Sequence, residues 1–155
     1  MEQQYIVFKL GDEQYAVNIA SVETIITMQP ITSLPHSPSF IKGVTNLRGE
    51  VVPIMDLRRR FGLSTENEDK ETRIVVVDLR TTKVGLIVDA VSEVLSIETQ
   101  QIEPLSAVAQ TPESDFIQGV AQFQARLVII LDLEKILSFG EQQRLQALQP
   151  ADVGS

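Results

Sequence analysis

One stretch of this chain occurs twice, and the repeat constrains the fold more than any other feature. Residues 40–62 read FIKGVTNLRGEVVPIMDLRRRFG, and residues 116–133 read FIQGVAQFQARLVIILDL. The positions that match lie 76 residues apart and are mostly apolar or glycine, the types that set a core and a backbone path. The repeat therefore predicts two copies of one small fold. The matched pairs are Phe40 and Phe116, Ile41 and Ile117, Gly43 and Gly119, Val44 and Val120, Val52 and Val128, Ile54 and Ile130, Asp56 and Asp132, and Leu57 and Leu133.

The turn inside the repeat differs between the two copies. In the first copy Arg48-Gly49 separates two apolar runs, and Gly49 supplies the positive φ that a tight hairpin turn needs. Asn46 and Arg48 are therefore predicted near the hairpin tip. The pattern predicts a special surface on the first copy only, since the second copy has other residues at these three places. They are Gln122, Gln124 and Ala125.

The segment before each repeat also follows a common plan. Alternating apolar residues predict one β-hairpin at 5–17 and another at 73–88. Asn18 and Asp89 then resemble helix N-caps, and apolar residues at spacings of three and four predict a short helix after each cap. These apolar residues are Ile19, Val22, Ile25 and Ile26 in the first half and Val91, Val94 and Leu95 in the second.

Other features concern strand edges, connections and the chain end. Pro53 cannot donate to a sheet ladder, so its strand is predicted to be an edge or to be bulged there, the alternative being only a kink. The polar, acid-rich segment 63–72 is predicted to connect the two halves, and residues 151–155 are predicted to be a disordered tail. An amphipathic C-terminal helix is predicted from Leu133, Ile136, Leu137, Leu145 and Leu148.

Together these elements predict a mainly β protein in which residues 1–150 form one domain. Its two small β-barrels share a hydrophobic seam, because each barrel alone would bury too little apolar surface. Short helices and the C-terminal helix complete this fold. The repeat assigns structural roles to Gly49 in the turn, to Asp56 as a helix cap, and to core positions. The core positions are Val52, Ile54, Leu57, Val128 and Ile130.

Composition argues against several classes of function. The net charge is −8 and the aromatic share is 5%, whereas nucleic-acid-binding barrels need basic grooves and stacking aromatics. No apolar run reaches the roughly 18 residues that span a membrane, so no direct membrane insertion is expected. The chain has no cysteine and one histidine, His36, so we expect neither a metal site nor a disulfide.

No motif for catalysis or for a cofactor is present. Both phosphate-binding glycine patterns and the nucleophile elbow are missing from the sequence. Asp56 and Asp132 each follow a strand and precede a leucine, so we interpret them as helix caps rather than as an acid and base pair. The run at 58–60, three arginines, is interpreted as the solvated start of a helix. We therefore expect no catalytic residues and no cofactor.

The repeated signature also carries a resemblance. FIKGVTNLRGEVVPIMDLRRRFG resembles the signature of the CheW family, the chemotaxis coupling adaptors, through G-V-x-N-L-R-G followed by V-x-P-I-x-D-L-R. The opening YIVFKLGDEQYAVNI and the later VGLIVDAVSEVL are similar to the same family. The resemblance covers about residues 4–148.

The resemblance implies two five-stranded SH3-like barrels around a shared seam, with strands exchanged between the sequence halves. It implies a cytoplasmic, non-catalytic adaptor at the inner face of the membrane. Its partners would be the cytoplasmic tip of methyl-accepting chemoreceptors and the regulatory domain of the histidine kinase CheA, which together form an array.

By motif position the resemblance implies a receptor-binding groove between the barrels. Val22 would offer apolar contact, Gly43 would allow close approach, and Arg48 would organise the groove or contact the receptor helix. Family members often carry an acid near Thr24. The second hairpin and the loop before it are candidates for the kinase interface. The full groove set is Val22, Thr24, Gly43, Asn46 and Arg48.

Three alternatives remain open at this point. Two belong to the same family: an adaptor of a non-flagellar chemosensory system, and a regulatory domain of a CheA-type kinase. Met1 and the absence of a kinase or phosphotransfer segment favour a stand-alone adaptor over the second of these. The third alternative, a nucleic-acid-binding barrel, is disfavoured by the acidic net charge.

Overall fold

The computed structural model of this chain describes residues 2–35, 38–63, 69–79, 82–105 and 116–136. Within these ranges the chain forms eleven strands and little helix. The helical segments there are α1 (Leu57–Arg60) and 3-10 turns at Ile19–Ser21, Thr99–Gln101 and Leu133–Lys135. The strands are β1 (Glu2–Leu10), β2 (Glu13–Asn18), β3 (Val22–Thr27), β4 (Ile41–Leu47), β5 (Glu50–Asp56), β6 (Arg73–Asp78), β7 (Lys83–Val88), β8 (Ala90–Glu98), β9 (Ile102–Glu103), β10 (Ile117–Phe123) and β11 (Arg126–Leu131).

The strands form two sheets, and each sheet combines strands from both halves of the sequence. One sheet has six strands in the order β8-β1-β2-β11-β10-β9, and the other has five in the order β3-β6-β7-β5-β4. The hairpin β1–β2 joins the second-half strands through parallel pairing of β2 with β11, and β6–β7 joins the first-half strands through β5. The mainly β class with two small SH3-like barrels is confirmed, and the sixth strand of the larger sheet is the two-residue β9.

The hydrophobic core has a central cluster that draws on both sheets and a smaller cluster inside each sheet. Strand β1 is apolar at four consecutive positions, 5–8, because alternate side chains are buried on opposite faces of the strand. Ile6 and Phe8 belong to the central cluster, whereas Tyr5 and Val7 belong to the cluster of the six-stranded sheet. In β6, Val75 and Val77 likewise belong to the central cluster, whereas Ile74 and Val76 belong to the cluster of the five-stranded sheet. Since these strands are buried on both faces, the seam between the barrels is as much a core as either barrel interior.

The two copies of the repeat share their backbone irregularities as well as their apolar positions. The β4–β5 register shifts between Ile41 and Gly43, and the β10–β11 register shifts at the equivalent place. The Asp56 carboxylate accepts the backbone N–H two residues further on at 3.0 Å, and the Asp132 carboxylate does so at 3.1 Å. The positions that the repeat predicts as core are buried: Val52, Ile54, Leu57, Val128 and Ile130.

The short helix predicted after Asn18 is wrong beyond its first turn. Asn18 caps as expected, since its side-chain oxygen accepts from Ala20 N at 2.9 Å, but the turn ends at Ser21. Residues Val22–Thr27 instead form β3, which alternates half-buried and exposed positions and pairs with β6. Val22 and Ile26 lie on the half-buried face of β3 and Ile25 lies on its exposed face, so an ordinary strand carries the spacings of three and four that predicted a helix.

The helix predicted after Asp89 is also wrong, because Ala90–Glu98 forms β8 along the edge of β1. Asp89 does not cap a helix. Its carboxylate accepts from Gly11 N at 2.8 Å and from Arg58 Nε at 2.9 Å. Partial burial raises the pKa of Asp89, but the hydrogen bonds from Arg58 and Gly11 outweigh burial and leave that pKa below its usual value. Asp89, in the second half of the sequence, therefore ties together the β1–β2 turn and α1, which both belong to the first half.

Pro53 does not lie on an edge strand, so the edge that was predicted as one of its explanations is wrong. β5 lies inside its sheet, between β7 and β4. Pro53 is opposite Val44, whose own N–H and carbonyl bond to Thr32 at 2.9 and 2.8 Å, on the far side from β5. This pair therefore needs no N–H from Pro53 toward β4. On the other side of β5, pairing with β7 begins only at Ile54.

The arginine run is not a solvated helix start. Arg58 is 8% exposed and pairs with Asp89, and only Arg59 of the three is an exposed residue. The Arg60 guanidinium lies 4.3 Å from the ring centroid of Phe40 and 4.4 Å from that of Phe116. Two of these three arginines are therefore parts of the seam between the halves.

Arg60 joins the two copies of the repeat at equivalent points. Phe40 and Phe116 are matched residues of the two copies, and the guanidinium lies against both rings. Arg60 Nε also donates to the carbonyl of Ile136 at 2.9 Å, the residue 76 positions further along the chain. The contacts continue as a row of stacked rings from Phe116 through Phe61 to Tyr15.

Several predicted segments lie outside the described residues. These are His36, residues 64–68 of the connection, the tail at 151–155 and the C-terminal helix beyond Ile136. Leu133 and Ile136, at the beginning of that predicted helix, are buried in the central cluster.

We predict that Arg60→Lys destabilises the fold by about 1–3 kcal/mol, because an ammonium cannot stack against two rings and keep the bond to the Ile136 carbonyl. Urea unfolding followed by circular dichroism measures this change. Arg59→Lys is the matched control, since the Arg59 side chain is 49% exposed, and it should stay within about 0.5 kcal/mol of wild type. Equal effects of the two substitutions would contradict the role given to Arg60.

Candidate partner-binding groove

The hairpin β4–β5 presents Arg48 at its tip. The turn contains only Arg48 and Gly49, with Leu47 and Glu50 as the last pair of the ladder. Both turn residues have positive φ, 56° and 84°, as a type I′ turn requires. Glycine adopts this conformation freely, whereas arginine does so at a cost. A strained arginine at an exposed tip is typical of a residue kept for what it contacts.

The turn is braced from within, and the Arg48 side chain takes no part in the bracing. Asn46 Oδ1 accepts from Gly49 N at 3.0 Å, which fixes the turn from the preceding strand. Among the described residues, no hydrogen bond or ion pair involves the Arg48 guanidinium. Five N–H donors therefore face solvent in a fixed planar fork.

A shallow depression lies beside this tip, between β3, β5 and β7. Lys83 Nζ bonds to Glu23 Oε1 at 2.9 Å and approaches Glu50 Oε2 to 3.2 Å. These hydrogen bonds, to Glu23 and then to Glu50, raise the pKa of Lys83. The depression therefore has a fixed charged floor with Arg48 at its rim. Its lining is Glu23, Thr24, Leu47, Arg48, Glu50, Val52 and Lys83.

The structure brings together only part of the predicted groove set. Thr24 and Arg48 line the same depression, while Val22, Gly43 and Asn46 do not. Val22 is half-buried and packs against the central cluster. Asn46 is exposed on the hairpin beside the depression and acts on the turn.

Gly43 has a role different from the one the resemblance implies. It is buried with φ 155°, and a Cβ on it would lie 2.1 Å from the carbonyl oxygen of Thr32 and 2.8 Å from Ile31. The space that a side chain would need is taken by the chain's own preceding segment. Gly119 repeats this arrangement against Glu103 in the second copy.

The sequence reasoning missed Glu23, Glu50 and Lys83. Each is a charged residue near a strand end, where such residues are common, so none stands out locally. They come together because β7 of the second half lies beside β5 and one strand from β3. Only knowledge of the mixed sheet order could have found them.

The chain is similar in sequence to a family of known proteins. A family profile described as the CheW-like domain matches residues 4–141. The chain belongs to this family. It is 39% identical over 139 residues to the chemotaxis protein CheW of Klebsiella aerogenes, covering 90% of this chain and 84% of that protein. It is 36% identical over 142 residues to the probable chemotaxis protein CheW of Rhizobium etli, covering 92% of each.

A solved structure of the family has the same fold. The crystal structure of the scaffolding protein TtCheW from Thermoanaerobacter tengcongensis superposes with a TM-score of 0.82 at 35% identity, covering 91% of each chain.

Among the described residues of this chain, no three or more potential metal ligands come together. No helix in those ranges is long and apolar enough to cross a membrane.

We predict that Arg48→Asn stabilises the protein by about 0.5–1 kcal/mol, because asparagine followed by glycine suits a turn with two positive φ angles. Gln124→Asn should stabilise less, because Gln124 has φ 58° but the residue that follows it, Ala125, does not have positive φ. Thermal unfolding of the three proteins measures both changes. A loss of stability in Arg48→Asn would show that the arginine side chain supports the fold.

Proposed function

We propose that this protein is a non-catalytic adaptor that couples methyl-accepting chemoreceptors to the histidine kinase CheA. The observation that carries the proposal is the Arg48 guanidinium, exposed at a strained tip and without a partner among the described residues. Membership of the CheW-like family supports the class of partner, and the matched crystal structure is of a protein called a scaffold.

The receptor partner is the cytoplasmic tip, a helical hairpin. A helix that lies in a groove needs apolar anchors and a polar rim. The depression provides Leu47 as apolar surface, with Arg48 and Thr24 at its border. Arg48 suits a carboxylate or a row of helix carbonyls, because its donors form a planar fork.

The kinase partner is the regulatory domain of CheA, which would bind away from the Arg48 tip. The hairpin β10–β11 is the candidate surface, and most of the loop before it lies outside the described residues. An adaptor in a switchable array binds each partner moderately, on the order of micromolar, or about −8 kcal/mol. Many such contacts then act together through effective concentration.

The adaptor would work in the cytoplasm and would reach the inner face of the membrane only through receptor arrays. It would use no cofactor and no metal. Nucleic acid is not a proposed partner, because a net charge of −8 opposes binding to phosphates.

The experiment that tests the proposal is titration of Arg48→Glu with a chemoreceptor tip fragment. Charge reversal at the rim should lower affinity roughly tenfold or more while the unfolding curve stays close to that of wild type. Gln124→Glu is the matched control, since it places a carboxylate at the same turn position of the second copy. It should leave receptor binding unchanged. Equal binding by wild type and Arg48→Glu would remove Arg48 from the receptor interface.

A further inference from the structure

The charged side chains that line the depression are not all paired with one another. Four charged side chains line it, two acidic and two basic. Lys83 bonds to both acids: to Glu23 at 2.9 Å and to the two oxygens of Glu50 at 3.3 and 3.2 Å. Arg48 bonds to neither, although Glu50 is only two residues away in the same hairpin. One cation thus satisfies both carboxylates and leaves the second cation unpaired.

Such a division has a physical reason. A guanidinium next to a free carboxylate forms a charge-assisted pair, often with two parallel hydrogen bonds. Glu23 and Glu50 line the same depression as Arg48, so they are the carboxylates on hand for such a pair. Lys83, on β7, hydrogen-bonds to both carboxylates, Glu23 on β3 and Glu50 on β5. Its side chain is 31% exposed, less than those of Glu23 and Glu50 at 41% and 60%, so it is the less solvated partner in both bonds.

We infer that Lys83 is a positioning residue of the groove: by binding Glu23 and Glu50 it keeps the Arg48 guanidinium free for a carboxylate on the partner helix. The inference rests on the proposed function and adds the chemistry of the contact. It requires a helix with an acidic side chain that faces Arg48. It also explains why two acids can line a groove that takes an acidic partner, since Lys83 neutralises them in part.

The second copy of the repeat has the opposite arrangement. Gln124 takes the place of Arg48, and Arg126 takes the place of Glu50. Arg126 Nη1 bonds to Glu93 at 2.7 Å and to Gln14 at 3.3 Å. The tip there is uncharged and the nearby cation is bound within the chain. The tips of the β4–β5 and β10–β11 hairpins therefore differ in whether a cation remains free for a partner.

The first test needs no partner. The Nε–Hε resonance of Arg48 is identified by its loss in Arg48→Lys, and its 15N relaxation reports whether the guanidinium is mobile or held. We expect a mobile group in wild type, a held group in Lys83→Met, and a mobile group again in Lys83→Met combined with Glu23→Gln and Glu50→Gln. A guanidinium that stays mobile in Lys83→Met would overturn the inference.

The second test titrates the same proteins with a chemoreceptor tip fragment. Lys83→Met should lower affinity about tenfold, and the triple variant should recover most of that loss. A lysine that merely supports the hairpin predicts no recovery, because the triple variant lacks the same ion pairs. Arg126→Met is the matched control for the loss of one cation from an ion-paired cluster, and its receptor affinity should equal that of wild type.

The two tests separate this inference from the proposed function. If Arg48 becomes held in Lys83→Met but the wild-type protein does not bind the receptor fragment, the receptor assignment fails and the competition for the acids stands. If the wild-type protein binds the fragment but the triple variant does not recover affinity, the inference about Lys83 fails and the receptor assignment stands.

Discussion

The contact of the Arg60 guanidinium with Phe40 and Phe116 is the interaction on which the arrangement of the two halves depends. The two rings are matched residues of the repeat, and the cation lies within 4.4 Å of both centroids. Arg60 and the residue that accepts its Nε–H, Ile136, are themselves equivalent positions 76 residues apart. One copy supplies a cation where the other supplies a carbonyl, so the two copies are complementary at this point rather than identical.

The sheet topology also makes each half of the sequence depend on the other half. Each sheet takes one hairpin from the other half, and the strands of these hairpins are buried on both faces. Removing one half would strip a hairpin from each sheet and expose the central cluster. Neither half of the sequence therefore contains the strands of a complete sheet, which agrees with the small apolar core that each half would have.

The repeat allowed most of the fold to be predicted, because shared apolar and glycine positions report directly on shared backbone. The hairpins and the helix caps at Asp56 and Asp132 follow from local residue types. The helices predicted after Asn18 and Asp89 failed because β3 and β8 also carry apolar residues on their exposed faces, Ile25 and Val94, which creates spacings of three and four. The roles of Arg58, Arg60 and Lys83 could not be predicted, since their partners are at least 20 residues away and come close only through the mixed sheet order. Gly43 was assigned to a partner contact because its own neighbour, Thr32, is not evident from local sequence.

We propose that hairpins in different sheets of this one chain bind two different proteins. The most direct measurement is a calorimetric titration of this protein with a chemoreceptor tip fragment and with the CheA regulatory domain, each alone and each after saturation with the other. We predict that both fragments bind at the same time, because the Arg48 hairpin and the second hairpin belong to different sheets. Competition between the two fragments, or failure of the folded protein to bind either of them, would contradict it.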